Sequence, residues 1–143
     1  MTSQAAIFGP FLAMMLLTGG VWLYMHLRRV AFLARMPLGA ANLAVPGTLA
    51  RMTPPNVSNP TDNLKNLFEV PILFYALALY LFVTNQVDTL YLLPAWIFVL
   101  LRWAHSAVHC TINNVAVRFY LEALSTVTLW LMLLRAALHY LFA

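Results

Sequence analysis

Charge is what this chain lacks most: only 8% of its 143 residues are charged, while 63% are hydrophobic. Soluble domains carry about a quarter charged residues, so a water-facing surface is excluded and a membrane protein is expected. Cysteine is almost missing too. Cys110 stands alone, which rules out an intrachain disulfide and any CxxC motif. Its simplest reading is a small buried hydrophobe. No basic residue precedes the first apolar run, so the N-terminus does not read as a cleavable signal peptide. The sequence also has no HExxH and no CxxCH, leaving zinc-protease and c-type haem chemistry without a motif.

What the chain does have is four long apolar stretches, approximately Ala5 to Leu27, Leu67 to Val83, Leu90 to Val108 and Phe119 to Phe142. These approach or exceed the ~20 residues a spanning helix needs, and they lack the period-two alternation of a barrel strand. The expectation is an all-α membrane protein, a four-transmembrane-helix bundle forming one domain over residues 1–143. Arg28, Arg29, Arg35, Arg51 and Lys65 lie between the first two runs, and Arg102 and Arg118 flank the last connection. By the positive-inside rule that side is cytoplasmic and both termini lie outside. The net charge of +4 is explained by topology and by anionic lipid head groups, and no nucleic-acid partner is implied. With no targeting segment evident, a bacterial inner membrane is the expected location.

The connection at about 30–59 is long, and Pro37, Gly39, Pro46, Gly47, Pro54 and Pro55 rule out a continuous helix through it. Its apolar residues (Leu38, Leu43, Val45, Leu49) suggest a loop folded back onto the helix ends. Asn59 and Pro60 read as an N-cap with proline at the first helical position. Pro71 should bend the second helix near the interface. A tight turn is expected at Asn113 and Asn114.

The polar residues are few and clustered. At ~100° per residue, Arg102, His105, Ser106, His109 and Asn113 fall on one helix face, with Trp103, Ala104 and Val108 off it. Such a face either lines a polar site or supplies hydrogen bonds between helices. Asn66 and Glu69 share a face of the second helix, with Asp62 one turn earlier. Glu69 beside an apolar run needs a partner, and an ion pair with Arg102 is one solution. Arg118 and Glu122 are spaced for an i,i+4 pair, although Arg118 is also a candidate anion binder.

The order "NLFEVP", an apolar span, "RWAHSAVH" and then an arginine opening the fourth span resembles the MAPEG superfamily, the membrane-associated proteins of eicosanoid and glutathione metabolism. The likeness covers nearly the whole chain. It implies a MAPEG-like homotrimer of four-helix subunits, with glutathione as co-substrate bound at the cytoplasmic side between neighbours. Carried over, Asn66 and Glu69 contact the glutathione backbone and amine, Arg102 and His105 line the same pocket, and Arg118 stabilises the thiolate. The implied activity is that of a glutathione S-transferase or peroxidase acting on a small lipophilic substrate from the lipid bilayer. The chain departs from the pattern at three places. Asp62 stands where an arginine is common, His109 where a tyrosine is common, and His26 where helix one ends in an arginine. Lys65, Arg28 and Arg51 are the other cations available for the glutathione carboxylates.

Two further readings come from other classes. One is a non-catalytic lipid- or thiol-binding trimer, favoured by the substitutions at Asp62 and His109. The other is a haem or metal protein, with His105 and His109 four apart and His26 approaching from helix one.

Overall fold

Residues 3–36 and 47–142 are described in the computed structural model. Each apolar run becomes a helix that extends past the run itself. A short 3-10 turn, Gln4–Ile7, leads into α1 (Phe8–Leu33), and a brief α2 (Thr48–Met52) follows. The second run is carried by two helices, α3 (Pro55–Leu67) and α4 (Val70–Val83), and the last two by α5 (Thr89–Cys110) and α6 (Val115–Phe142). Together they make four helical segments long and apolar enough to cross a membrane. The 28 residues of α6 correspond to about 42 Å, more than the ~30 Å hydrocarbon core. Of the long connection, Pro37, Leu38, Gly39, Leu43, Val45 and Pro46 lie outside the described residues. Gly47 adopts φ 78° as the N-cap of α2, a left-handed conformation that glycine takes without steric cost.

The start of the second span differs from the sequence expectation. Helix α3 begins at Pro55 with Pro54 as N-cap, because proline's fixed φ suits the first helical position. Pro60 is therefore interior, and Asn59 is not a cap. Having no N–H, Pro60 frees the carbonyl four residues back, and Arg28 Nε donates to that Asn56 carbonyl at 3.2 Å. Pro71 has a larger effect than a bend. The helix stops at Leu67, Glu69 takes φ −96° and ψ −99°, and α4 restarts with Pro71 in its first turn.

Two asparagines close the tight turns. Asn85 and Asn113 have positive φ, a region asparagine tolerates better than most side chains. In each case an amide at or beside the asparagine bonds back five residues, Gln86 N to Leu81 O at 2.9 Å and Asn113 N to Val108 O at 2.7 Å. Between these turns α5 and α6 pack more extensively than any other pair. The core they share with α1 and α4 is apolar, with Phe74 and Phe98 stacked at 4.7 Å and Met14, Leu81 and Leu129 buried.

The end of the bundle remote from Arg118 is held by a clamp. Asp88 caps α5 by accepting from Tyr91 N at 3.0 Å, and Arg135 Nη1 donates to the same carboxylate at 2.8 Å. The Arg135 guanidinium also lies 3.9 Å from the centre of the Tyr91 ring. Gln4 adds a two-bond amide clasp on Val87, donating to its carbonyl at 3.2 Å and accepting from its N–H at 2.9 Å.

The hydrogen bond from Arg135 holds the Asp88 carboxyl below its ordinary value. A folded value below the unfolded one stabilises the protein at higher pH, and that stability is lost as pH falls through the depressed value. Thermal stability of the wild type is therefore expected to drop between neutral pH and about pH 3, past the ordinary aspartate value near 3.9. Asp88→Asn should remove part of that slope. Parallel acid profiles for the two proteins would contradict the clamp.

Candidate functional site

At the Arg118 end, α3, α5 and α6 send polar side chains inward. Arg102, His105, Ser106 and His109 are all buried on one face of α5, whereas Trp103 and Ala104 face outward. The periodicity that grouped them in the sequence therefore marks the inner face of the helix. Arg102 is 0% exposed, a placement that needs a counter-charge in so apolar a setting.

That counter-charge is Glu122, whose Oε2 lies 2.6 Å from Arg102 Nη1 and 3.5 Å from His105 Nδ1. Two expected ion pairs are thereby corrected. Glu122 does not pair with Arg118, because its side chain turns inward to α5. Glu69 does not pair with Arg102, because the helix break leaves Glu69 exposed while Arg102 takes its counter-charge from α6. Ser125 Oγ donates to the Glu122 carbonyl at 2.8 Å, continuing the same face.

Arg118, half-buried on the second turn of α6, is held differently. Its Nη1 lies 2.6 Å from His109 Nε2 and donates to Asn113 Oδ1 at 2.8 Å. A guanidinium has only donors, so His109 Nε2 must be the acceptor and its proton sits on Nδ1. His105 Nδ1 bonds to the Arg118 backbone carbonyl at 2.9 Å, which makes Nδ1 the protonated nitrogen there too. The chain contains four acidic residues. Among the described residues Asp62 pairs with Lys65, Asp88 with Arg135 and Glu122 with Arg102, while Glu69 pairs with no cation. Arg118 is thus oriented by two neutral acceptors and, among the described residues, forms no ion pair.

A third group joins α3 to α5. Ser106 Oγ donates to Asn63 Oδ1 at 3.3 Å, and Asn63 Nδ2 reaches Cys110 Sγ at 3.5 Å. Asn113 Nδ2 donates to Asn59 Oδ1 at 3.2 Å. Asn113 belongs to the polar face expected from the sequence, whereas Asn59 and Asn63 were not among the residues singled out as ligand-binding. Their signal was present, since Asn59, Asn63 and Asn66 recur at i, i+4 and i+7 on one face. Cys110 is half-buried, a partner in this network as well as an apolar filler.

Of the residues expected to bind a ligand, the structure brings Arg102, His105, His109 and Arg118 into one connected cluster. Asn66 is half-buried and makes no hydrogen bond, and Glu69 is exposed. Lys65 is bonded to Asp62 at 2.8 Å, with both side chains mostly exposed. Arg28 lies elsewhere, on the Asn56 carbonyl. Helix α1 adds nothing to the cluster, for His26 bonds to its own helix at Trp22 O, 3.1 Å away. The His26 approach required by the metal reading is therefore not made. Among the described residues no group of three or more His, Cys, Asp or Glu is placed to hold a metal ion.

Four buried atoms of the cluster, Arg102 Nε and Nη2, His105 Nε2 and His109 Nδ1, meet no partner among the described residues. Buried polar atoms of this kind raise the free energy unless a water or ligand satisfies them. The fold and site together define a four-span membrane protein with a hydrogen-bonded cationic cluster at one end. A model of the MAPEG family matches residues 7–138, and the chain belongs to that family. Comparison with curated proteins gave no match, nor did comparison with solved structures.

Removing Glu122 strands a buried charge. Glu122→Leu is expected to destabilise the protein by on the order of 3 kcal/mol, and adding Arg102→Met should recover most of that loss. Denaturation of the purified variants in mixed micelles measures both. A double variant no more stable than the single one would refute the pairing.

Proposed function

We propose that this MAPEG protein is a glutathione-dependent transferase or peroxidase acting on lipophilic electrophiles, working as a homotrimer with its sites at the cytoplasmic face. The observation that carries this reading is the uncompensated charge of Arg118, fixed by His109 and Asn113. A cation so placed favours the thiolate over the thiol, lowering an ordinary pKa of about 8.5. Asn66 and Glu69, whose side chains have no hydrogen-bond or ion-pair partner among the described residues, are free for the amide and amine of the tripeptide, and Lys65 is the nearest cation in sequence for a carboxylate. Arg102, His105 and His109 act from behind as positioning residues. Arg28 is bonded elsewhere and has no role in this proposal.

The chemistry is simple and balanced. With a halogenated aromatic, the thiolate sulfur attacks the ring carbon, the C–S bond forms, and halide leaves with the C–halogen electron pair. With a hydroperoxide, sulfur attacks the terminal oxygen and the O–O bond breaks. An alcohol leaves, and the resulting sulfenic acid condenses with a second glutathione to give the disulfide and water. The substrate enters from the bilayer, where it is concentrated.

A second reading, a trimer that binds lipids or thiols without turnover, is favoured by Glu122. That residue takes up Arg102 Nη1 deep in the bundle and leaves only the enclosed Nε and Nη2 for any bound molecule.

The discriminating experiment is conjugation of a chlorodinitroaromatic by the purified protein. The wild type is expected to turn over, and Arg118→Ala to lose about a hundredfold or more in kcat, as when one donor to a developing anion is removed. Saturable glutathione binding without turnover would favour the second reading. No heat of binding at millimolar glutathione would contradict the glutathione reading.

A further inference from the structure

Arg28 lies on the last turns of α1 and Arg35 in the turn just past its end, with Phe32 between them. They line a groove of about 300 Å³ whose other wall is Pro54, Asn56 and Val57. The Arg28 Nε is spent on the carbonyl that Pro60 frees, which fixes the side chain. Among the described residues its two terminal nitrogens make no hydrogen bond, and the exposed Arg35 side chain has no partner. None of the described residues lining this groove is a carboxylate.

The depth is informative. Arg28 lies 24 residues beyond Gln4 (28 minus 4), or about 36 Å along a helix, where a ~30 Å hydrocarbon core has given way to head groups. The Arg28 guanidinium sits 5.8 Å from the centre of the Tyr24 ring, an interfacial residue by type. Tyr24 also lines a second groove, of about 250 Å³, between α1 and α5. This one is apolar, walled by Leu16, Leu17 and Trp103 and opened by Gly20. A Cβ at Gly20 would meet nothing within 4 Å, so the space there is real. The two grooves share no lining residue, but the Arg28–Tyr24 contact sets the cationic one at head-group level beside the apolar one at acyl-chain level.

We propose that these neighbouring grooves bind one anionic phospholipid, its phosphodiester gripped by Arg28 and Arg35 and an acyl chain laid past Tyr24 over Gly20. Two guanidiniums suit a phosphate because their fork geometry matches its oxygens. The apolar extension selects a lipid over a free anion. This site depends neither on glutathione nor on Arg118.

The test uses the full chain reconstituted in vesicles of phosphatidylcholine and phosphatidylglycerol at a ratio of about 3:1, an anionic surface of the kind that attracts such arginines. Spin-labelled forms of each lipid report their relative association with the protein. The wild type is expected to prefer the labelled phosphatidylglycerol. Arg28→Gln with Arg35→Gln should reduce that preference at least about fivefold, since each basic residue near an anionic surface contributes about that factor. Gly20→Phe should weaken retention of the same lipid with both arginines intact, because it fills the chain groove. Arg51→Gln should leave the preference unchanged. Circular dichroism checks folding, and if the double variant fails to fold, Gly20→Phe decides alone. An unchanged preference in the variants, an equal loss in Arg51→Gln, or displacement of the labelled lipid by inorganic phosphate would overturn the proposal.

Discussion

The constraint on which the rest depends is a guanidinium with no access to solvent inside a hydrophobic bundle. Arg102 is wholly enclosed, and an enclosed charge is tolerated only with a close opposite charge and further hydrogen bonds. Glu122 supplies the opposite charge from the neighbouring helix and so ties α5 to α6, while Arg102 Nε and Nη2 are left for a water or ligand to satisfy. The consequence reaches Arg118. With Glu122 turned inward, the arginine one helical turn before it has no acid to neutralise it, and neutral His109 and Asn113 hold it instead. One buried pair thus produces both the rigidity of the cluster and the free positive charge at its edge.

Proline shapes the second span in a complementary way. A proline withdraws one N–H from the helix ladder, and the second span shows two outcomes. At Pro60 the freed Asn56 carbonyl anchors Arg28. At Pro71 the helix gives way, and Glu69 is turned outward at the break. The same breaks that interrupt the helix therefore decide which charges face outward and which are fixed in place.

The spans, the inner face of α5 and the turn at Asn113 were legible in the sequence because each rests on local periodicity or on the conformational tolerance of one residue. The family was legible from motif order, and the match over residues 7–138 bears it out. Partner choice was not legible. The i,i+4 spacing of Arg118 and Glu122 suggested a local pair, but burial of Arg102 outweighs the few tenths of a kcal/mol that such a surface pair contributes. The start of α3 was misplaced because Asn59–Pro60 and Pro54–Pro55 both carry start signals, and only the structure shows that the earlier one prevails. The Asp88–Arg135 clamp joins residues 47 apart in sequence, beyond the reach of any local rule.

The central claim is that Arg118 presents an unneutralised, immobilised charge to a small anion. It is tested most directly by the ultraviolet absorbance of the glutathione thiolate, followed while glutathione is titrated into the solubilised protein at neutral pH. The account predicts a saturable thiolate signal in the wild type and its loss in Arg118→Gln, with helical content unchanged. A signal of equal size in both proteins, or none in either, would contradict it.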